Sequence, residues 1–264
     1  MASYDIIGNI AIIKPEANGK PKTKSQKLKQ AKEILKRPSI KTVLEKASDV
    51  KGRLRTIKTK YLAGEKNLIA IYKENNCTFK LNVETCYFSP RLSNDRKQIA
   101  NKIKKTDNVL IMFAGVGPYP IIIHKLAKPK QIQAIEIGKQ CCKYFEQNLK
   151  LNKIPKNKIQ IIQGDVKKKI TKQTSKQLGK FDIIIMPRPN LKDTFLEQAL
   201  LLSQKSTKIF YYGFCKDNEI KTLTNQLKQQ AQKLKRKIKI TNITKAGKIA
   251  PYKFRWRVEV RVIE

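Results

Sequence analysis

Short apolar runs alternate with helical patterns through the second half of the chain, and this alternation constrains the fold more than any other feature. The first run is Val109–Phe113, and later runs begin at Gln131, Lys158 and Phe181, each followed by a segment with helical periodicity. Strands that alternate with helices form βαβ units, whose parallel strands are buried on both faces. The sequence therefore predicts an α/β fold with a mostly parallel sheet.

The first 85 residues mix strand and helix patterns differently. We predict a strand pair in residues 4–13, a loop in 14–24, helices in 24–35 and 39–46, and antiparallel strands in 51–65 and 68–83. This mixture predicts a small α+β domain over residues 1–85, followed by the α/β domain over 86–264. Near the end, residues 237–241 and 254–263 alternate again, and predict an antiparallel pair that closes the edge of the sheet.

The charge of the chain is strongly positive. Its 264 residues include 58 lysines and arginines and 20 acidic residues, a formal net charge of +38. This favours a polyanionic partner such as nucleic acid, although an AT-rich genome or a hot habitat also produces lysine-rich chains. Hydrophobic residues make up 40%, enough for a substantial core. No apolar run approaches the roughly 20 residues that span a bilayer, and we recognise no signal peptide, so we expect a cytoplasmic protein.

The five cysteines and the single histidine, His124, offer little for a metal or a nucleophilic mechanism. No cysteines form a CxxC pair, and a structural zinc ion needs closely spaced nitrogen or sulfur ligands. An odd number of cysteines in a cytosolic protein favours free thiols. We therefore expect no metal site.

A glycine-containing turn, Phe113-Ala-Gly115-Val-Gly117-Pro, lies between the first apolar run and a helix. Small residues at this point allow the backbone to approach a ligand at the carboxyl edge of the sheet. The turn is not a P-loop, because no Gly-Lys-Ser/Thr follows, and it is not a full GxGxxG. Taken alone, the motif fits a tight βα turn without a ligand equally well.

Acidic residues follow the next two strands. Glu136 ends the second strand, about twenty positions after the glycines, where a carboxylate accepts hydrogen bonds from ribose hydroxyls. Asp165 follows the third strand, where it can meet an adenine amino group. With the proline-rich segment Met186–Asn190 after the fourth strand, this combination fits a class I S-adenosylmethionine-dependent methyltransferase better than a dinucleotide dehydrogenase. We place the adjoining Ile137 and Val166 in the same cofactor site.

Short motifs along nearly the whole chain carry a family resemblance. They are Tyr4-Asp-Ile-Ile-Gly-Asn-Ile-Ala-Ile-Ile, Gly52-Arg-Leu-Arg55, Leu62-Ala-Gly-Glu65, Tyr72-Lys-Glu-Asn-Asn, Tyr87-Phe-Ser-Pro-Arg91-Leu-Ser-Asn-Asp95-Arg96, Met112-Phe-Ala-Gly-Val-Gly-Pro, Ile209-Phe-Tyr-Tyr-Gly-Phe and Ala250-Pro251. They resemble the archaeal and eukaryotic tRNA guanine-37 N1-methyltransferase family, some members and close relatives of which act on wyosine precursors. The resemblance implies S-adenosylmethionine as cofactor and the anticodon loop of tRNA, tRNA(Phe) foremost, as partner.

The resemblance also implies roles for individual residues. Guanine N1 carries a proton at neutral pH, so methyl transfer needs that proton removed and the charge developing at O6 stabilised. By motif, the base is Asp95 and the arginine near O6 is Arg55, with a helix N-cap and a solvated strand as the alternatives. The residues placed around the cofactor are Tyr87, Arg91, Arg96, Phe113, Gly115, Gly117, Glu136, Ile137, Asp165 and Val166. For Tyr87, stacking on a base and packing in the core are further alternatives.

Three positions depart from the family pattern. The family usually has Glu where Asp95 stands, Asp where Ile111 stands, and Asn-Leu-Pro where this chain has Pro187-Arg-Pro189. That asparagine normally contacts the target guanine, so we expect Pro187, Pro189 and Asn190 to present another or an additional target, such as C7 of a wyosine intermediate. We also expect the family's tRNA-elbow domain to be absent, so that the positive charge supplies the affinity.

Three functions remain open from the sequence. The first is methyl transfer to guanosine-37, extended to a wyosine intermediate. The second is aminocarboxypropyl transfer from S-adenosylmethionine on the same scaffold, and the third is non-catalytic RNA binding. Asp95, Arg55 and the glycine turn favour methyl transfer, whereas the acids at the strand ends argue against simple RNA binding, because they weaken phosphate binding. We expect a monomer.

Overall fold

The structure, a computed structural model, describes residues 4–15, 23–49 and 52–264. The strands are β1 (Tyr4–Ile7), β2 (Ile10–Ile13), β3 (Thr42–Lys46), β4 (Thr59–Gly64), β5 (Ile69–Glu74), β6 (Cys77–Asn82), β7 (Asn108–Met112), β8 (Gln131–Glu136), β9 (Ile159–Gln163), β10 (Phe181–Met186), β11 (Ser203–Lys216), β12 (Ile238–Ala250) and β13 (Lys253–Val262). The α-helices are α1 (Lys24–Leu35), α2 (Ser93–Ala100), α3 (Pro118–Ala127), α4 (Lys139–Leu151), α5 (Val166–Lys169), α6 (Thr174–Leu178), α7 (Leu196–Leu201) and α8 (Ile220–Lys233). Part of the loop predicted for residues 14–24 lies outside the described residues. Within them, no helix is long and apolar enough to cross a membrane.

The second half folds around a large sheet. In the described part of the chain it has seven strands, in the order β12-β13-β11-β10-β7-β8-β9. The strands from β11 to β9 pair in parallel, whereas β13 and β12 add an antiparallel pair at one edge. Val109 to Met112 are completely buried, as expected for a central parallel strand with helices on both faces. The predicted α/β fold and its antiparallel edge are confirmed.

The order of the strands determines where a ligand can bind. The large sheet starts at β7, and the chain moves outward through β8 and β9 on one side. It then crosses to β10 and β11 on the other side of β7. The connections that follow β7 and β10 therefore diverge, and a crevice forms at the carboxyl ends of these two strands. In open α/β sheets, ligands bind in such crevices.

The small sheet near the beginning of the chain has the order β1-β2-β3-β4. Its strands β2 and β3 are parallel, and α1 forms the connection between them. The helix predicted for residues 39–46 was wrong, because Thr42–Lys46 is a strand that pairs with β2 and β4. The β-branched Thr42 and Val43 are completely buried there, and this environment favours a strand over the helical periodicity.

The turn between β1 and β2 joins the small sheet to the β5–β6 hairpin. Gly8 has φ +57°, and a Cβ atom there would lie 1.9 Å from the carbonyl oxygen of Ile71. The next residue, Asn9, accepts a 2.7 Å hydrogen bond from the backbone N–H of Ile71. Only glycine therefore permits the close contact that positions the small sheet.

Two asparagines of α4 attach the β5–β6 hairpin to the large sheet. The side chain of Asn148 accepts from the N–H of Lys80 at 2.7 Å and donates to its carbonyl at 3.1 Å. Asn152 makes the same pair of bonds with Thr78, at 2.9 and 2.7 Å. Lys80 and Thr78 present their backbone groups on one edge of β6, so α4 replaces a neighbouring strand. The hairpin shares a core cluster with β7 and α3. The predicted boundary at residue 85, which would place the hairpin in the first domain, stays a prediction.

We expect Asn148→Ala to destabilise the protein by about 3 kcal/mol. The change removes the two bonds to Lys80 and a third, 2.9 Å bond to the carbonyl of Val116, and each lost bond at a buried site costs about 1 kcal/mol. Urea denaturation measures the effect. The control is Gln147→Ala, on the exposed face of the same helix. Equal unfolding midpoints for the two variants would contradict this role.

Candidate active site

A cleft at the carboxyl ends of β7 and β10 is the strongest candidate for the active site. The space within it, which includes a part open to solvent, is about 740 Å³. Its walls include Arg53, Leu54, Arg55, Tyr87, Phe88, Arg96, Phe113, Gly115, Pro118, Tyr119, Glu136, Ile137, Cys141, Pro187, Pro189 and Arg255. The small N-terminal part of the chain and the large sheet therefore both contribute to one cleft.

Glu136 holds the two loops that border this cleft. Its Oε2 accepts a 2.7 Å bond from the N–H of Gly115, and its Oε1 accepts a 2.7 Å bond from the N–H of Gly138. Burial raises the pKa of Glu136, and these backbone N–H groups oppose that effect. A carboxylate has about four acceptor positions. Glu136 can therefore fix both loops and still accept hydrogen bonds from a ligand in the cleft.

The two glycines of the turn after β7 have different roles. Gly115 has φ +59° and faces open space, because a Cβ atom there would lie 3.9 Å from its nearest neighbour, the carbonyl oxygen of Tyr87. Gly117 has φ +88°, and a Cβ atom there would lie 2.2 Å from the ring of Phe145 on α4. Gly115 therefore leaves space for a ligand. Gly117 is required for the packing of the turn against α4, and its predicted contact with the cofactor stays a prediction.

A smaller hollow of about 300 Å³ continues from the cleft past Phe113 and Ile137. Asp165 and Val166 line it, as predicted from their position after β9. Asp165 accepts from the N–H of Lys167 at 3.0 Å and forms a 2.7 Å ion pair with Arg53. Burial acts to raise the pKa of Asp165, but Arg53 lowers it overall. This hollow is apolar, with one carboxylate at its edge, which suits a planar base bearing an amino group.

Arg55 brings a cation from the N-terminal part of the chain into the cleft. Its guanidinium lies over the ring of Tyr87, 3.6 Å from the centroid. Arg55 adopts φ +56°, a left-handed conformation that non-glycine residues rarely adopt. Burial lowers the pKa of Arg55, and the charge of Arg255 acts in the same direction. Arg55 is therefore not part of a solvated strand, and its role toward the acceptor base stays a prediction.

Asp95 lies behind the wall of the cleft. Its side chain is 6% exposed, and its Oδ1 accepts a 2.5 Å bond from Nη1 of Arg257. Its Oδ2 accepts from the hydroxyl of Tyr119 at 2.8 Å and from the hydroxyl of Tyr212. Tyr119 lines the cleft, whereas Asp95 does not reach its surface. The carboxylate makes no helix cap and is fully committed to this internal network.

Comparison with known proteins identifies the family. Residues 70–240 match the model of the TRM5/TYW2 methyltransferase domain, and residues 1–67 match the model of the TYW2 N-terminal domain. The chain belongs to the TRM5/TYW2 methyltransferase family. The predicted family is confirmed, and the TRM5/TYW2 match covers the whole cleft except for residues of the N-terminal part and of β13.

Three relatives illustrate the range of the TRM5/TYW2 family. The tRNA (guanine(37)-N(1))/4-demethylwyosine(37)-methyltransferase Taw22 of Nanoarchaeum equitans is 33% identical, and the alignment covers 99% of this chain and 100% of that protein. The tRNA(Phe) (4-demethylwyosine(37)-C(7)) aminocarboxypropyltransferase of Methanocaldococcus jannaschii is 34% identical over 57% of each protein. The crystal structure of Trm5b from Pyrococcus abyssi matches with a TM-score of 0.84 and 31% identity, over 99% of this chain and 75% of that one.

The donor set of the cleft fits S-adenosylmethionine, the cofactor of the TRM5/TYW2 family. Glu136 offers free lone pairs where a ribose would lie, and Gly115 leaves open space beside it. The adjoining hollow between Phe113 and Ile137 suits an adenine ring, with Asp165 at its edge. The cleft and the hollow form one continuous site at the carboxyl ends of β7, β8 and β9, where we predicted the cofactor from the sequence.

Other predicted residues occupy different surroundings. Arg96 lines the cleft, but its Nε and Nη2 each donate a 2.6 Å bond to the buried carboxylate of Glu74. Arg91 is exposed and pairs with Asp5 at 2.5 Å, so the structure does not bring it into the cleft. Pro187 and Pro189 line the cleft, whereas Asn190 is exposed and lies outside it.

Sequence reasoning missed the arginines of β13. Arg255 lines the cleft, and Arg257 pairs with Asp95, yet both lie in the motif Phe254-Arg-Trp-Arg. Arginines at alternate positions of a strand face the same side, and Arg255 and Arg257 are buried there although Arg261 on the same side is exposed. That spacing was the available signal. Arg188 is also buried, and donates to the backbone carbonyls of Tyr212 at 3.3 Å and of Leu191 at 2.5 Å.

The five cysteines are all buried and form no disulfide, which confirms the expected free thiols. Within the described residues, no group of three or more histidine, cysteine, aspartate or glutamate side chains is arranged to hold a metal ion. The charged and polar side chains that line the cleft are those of arginines, tyrosines, Glu136, Ser89 and Cys141.

We expect Glu136→Gln to lower the affinity for S-adenosylhomocysteine by roughly 10- to 100-fold. The amide NH₂ group cannot accept from a backbone N–H, so one loop loses its anchor and the ribose loses an acceptor, and charged hydrogen bonds of this kind contribute about 1.5–3 kcal/mol. Isothermal titration calorimetry measures the change. Glu146→Gln, on the exposed face of α4, is the control. If the two variants bound S-adenosylhomocysteine with equal affinity, Glu136 would not be part of the cofactor site.

Proposed function

We propose that this protein transfers a methyl group from S-adenosylmethionine to N1 of guanosine-37 in tRNA, and also to C7 of a wyosine intermediate at the same position. The observation that carries the proposal is the single cleft that joins a ribose-binding carboxylate, Glu136, to the stacked arginine Arg55. The name of the Nanoarchaeum relative, whose whole length the alignment covers, includes both targets and supports it. The expected cytoplasmic location and monomeric state belong to the same proposal.

The acceptor chemistry requires a base and a stabilised oxygen. S-adenosylmethionine, when bound, supplies the electrophilic methyl group. Arg55 donates to O6 of the guanine, where negative charge develops as the N1–H bond breaks. Because Asp95 lies behind Tyr119, two protons move together: the N1 proton moves to the Tyr119 oxygen, and the Tyr119 hydroxyl proton moves to Oδ2 of Asp95. Burial raises the pKa of Tyr119, so its proton must leave as the other arrives.

The N-terminal part of the chain has a separate task in this proposal. Residues 1–85 form the domain that presents the target nucleotide, because Arg53 and Arg55 reach from it into the cleft. The loop of Pro187 and Pro189 forms the opposite wall. Two prolines restrict the backbone, and a rigid wall without the family's usual asparagine suits a base other than guanine alone. The tRNA itself is bound mainly through its phosphates by the abundant lysines.

One experiment separates the proposal from its alternatives. The protein is incubated with S-adenosylmethionine labelled in either the methyl or the carboxyl carbon, together with unmodified tRNA(Phe) or tRNA bearing 4-demethylwyosine. The tRNA is then digested to nucleosides. Methyl label in N1-methylguanosine, and in the tricyclic nucleoside, is the expected result. Carboxyl label would indicate aminocarboxypropyl transfer, and no label in any nucleoside would leave only RNA binding.

We expect Asp95→Asn and Tyr119→Phe each to slow methyl transfer by about 10²- to 10⁴-fold, the usual contribution of a general base. Both changes interrupt the same proton path, so the double variant should be no slower than the slower single variant. Single-turnover rates at saturating S-adenosylmethionine measure the effect. Asp107→Asn, at the opposite end of β7, is the control. Full activity of Tyr119→Phe would rule out proton transfer through Tyr119, whereas full activity of Asp95→Asn would rule out Asp95 as the base.

Binding of tRNA should weaken steeply with salt. A protein that neutralises 6–10 phosphates loses about 10³- to 10⁵-fold in affinity between 50 and 200 mM salt, because counterions are released on binding. With a net charge of +38, we expect a loss of at least about 10³-fold. Filter binding over this salt range, with S-adenosylhomocysteine binding as the control, tests it. Salt-independent tRNA affinity would show that the lysine excess is compositional.

A further inference from the structure

Arg255 is a buried cation with no carboxylate partner. It is 6% exposed and lines the cleft. Its guanidinium lies 5.7 Å from the ring centroid of Tyr212 and 5.1 Å from that of Phe214. Within the described part of the chain, its side chain has neither a hydrogen bond nor an ion pair. Its neighbour on the same face of β13, Arg257, shows the contrast, because it is paired with Asp95.

Arg255 holds its guanidinium largely out of bulk water without an anion, and removing a charge from water carries a desolvation penalty that a partner offsets. Among the described residues, none of its nitrogens is a fully buried atom that lacks a partner. Its N–H donors therefore open on the cleft, where a ligand can supply acceptors. A protein retains such a group where a ligand supplies the missing acceptor. A ligand bound in the cleft can reach Arg255, because Arg255 lines it.

The other charged side chains that line the cleft indicate which kind of ligand group Arg255 binds. Among the described lining residues the cations are Arg53, Arg55, Arg96 and Arg255, and the acid is Glu136. Arg53 pairs with Asp165, and Arg96 pairs with Glu74. Arg55 and Arg255 therefore remain without ion pairs, and they are close enough for Arg255 to lower the pKa of Arg55. Two unpaired guanidiniums that repel one another both gain from an oxyanion placed between them.

Arg255 faces the acceptor half of the cleft. Its strand, β13, lies three strand positions from β7 and four from β8, which carries Glu136. With strands about 4.8 Å apart, these distances are about 14 and 19 Å across the sheet. The proposed ribose and adenine positions lie above β7, β8 and β9. Arg255 therefore lies on the far side of the cleft from these positions, whereas Pro189 lines both the cleft and the adjoining hollow.

The burial of Arg255 favours a nucleotide base over a backbone phosphate as the group that it binds. Its guanidinium lies over the rings of Tyr212 and Phe214, and the walls of the cleft that it lines include further rings and prolines. A phosphate diester is strongly hydrated and stays at the rim of such a site, whereas a flipped-out base enters it. A guanidinium fork matches the oxygen-bearing edge of guanine and donates two parallel hydrogen bonds to O6 and N7.

We infer that Arg255 is a second catalytic arginine, which donates to the oxo oxygen of the acceptor base and, together with Arg55, stabilises the negative charge that forms there. The inference rests on the proposed function. As the N1–H bond breaks, the electron pair left on the base delocalises to this oxygen, and the N–H donors of Arg255 are already in place. Fixed donors in a water-excluded site need no reorganisation during the reaction.

The first experiment measures single-turnover methyl transfer to tRNA(Phe). Arg255→Gln should slow it by about 10²- to 10³-fold, the usual effect of removing one oxyanion donor. Arg255→Lys retains the charge but not the fork, and should be intermediate. The control is Arg261→Gln, an exposed residue of the same strand that loses the same charge. An Arg255→Gln variant as fast as the Arg261→Gln variant, in a series where the wild type is active, would overturn this inference and leave the proposed function intact.

The second experiment tests the contact itself by binding. The probes are tRNA(Phe) with guanine or 2-aminopurine at position 37, the latter lacking the oxo oxygen, bound in the presence of S-adenosylhomocysteine. The wild type should prefer guanine by about tenfold or more, and Arg255→Gln should abolish that preference. Equal losses for both tRNAs would indicate a phosphate contact instead. A separate loss of S-adenosylhomocysteine affinity without tRNA would assign Arg255 to the cofactor carboxylate. Either result overturns the inference.

Discussion

The buried ion pair between Asp95 and Arg257 is the interaction on which the active site depends. It joins α2 to β13, two elements far apart in the chain, and both side chains are less than a tenth exposed. Removing one partner of such a pair leaves an uncompensated charge and costs about 3–5 kcal/mol. The remaining acceptor sites of Asp95 orient Tyr119 and Tyr212. The pair therefore fixes the wall of the cleft and, through β13, the position of Arg255.

In the proposed mechanism, this arrangement allows a short carboxylate to act as the base from behind the wall of the cleft. Asp95 bonds to two tyrosines and an arginine within the core, and Tyr119 lines the cleft. The proposed base and the proposed point of contact with the substrate are therefore separate groups. Such a relay keeps the carboxylate out of water and beside the guanidinium of Arg257. Its cost is that the whole hydrogen-bonded network must form before any part of it can act.

The sequence predicted those features that arise from local patterns, and missed those that arise from distant pairing. Helix α4 and strand β8 begin and end as their periodicity indicates, because apolar residues recur at helical or strand spacing. Glu136 and Asp165 were found by their position after strands. The strand at Thr42–Lys46 was missed because its pairing with β2 across α1 decides its conformation. Arg255 was missed because only the packing around β13 shows that residues 255–258 are buried on both faces of the strand.

The distribution of charge in the cleft also links the binding of the cofactor to the binding of the nucleic acid. Asp95 and Glu74 are committed to donors within the fold, and among the described residues that line the cleft the acid is Glu136. Arg55 and Arg255 leave it positive, and S-adenosylmethionine brings a sulfonium cation into the same space. Charges of one sign at short range in a partly dry site repel more strongly than in water. An oxygen-bearing base supplies the missing negative charge as it loses its proton. In the proposed mechanism, the charges of the cleft are therefore balanced only when acceptor and cofactor are bound together, which favours transfer to the bound nucleotide over reaction with water.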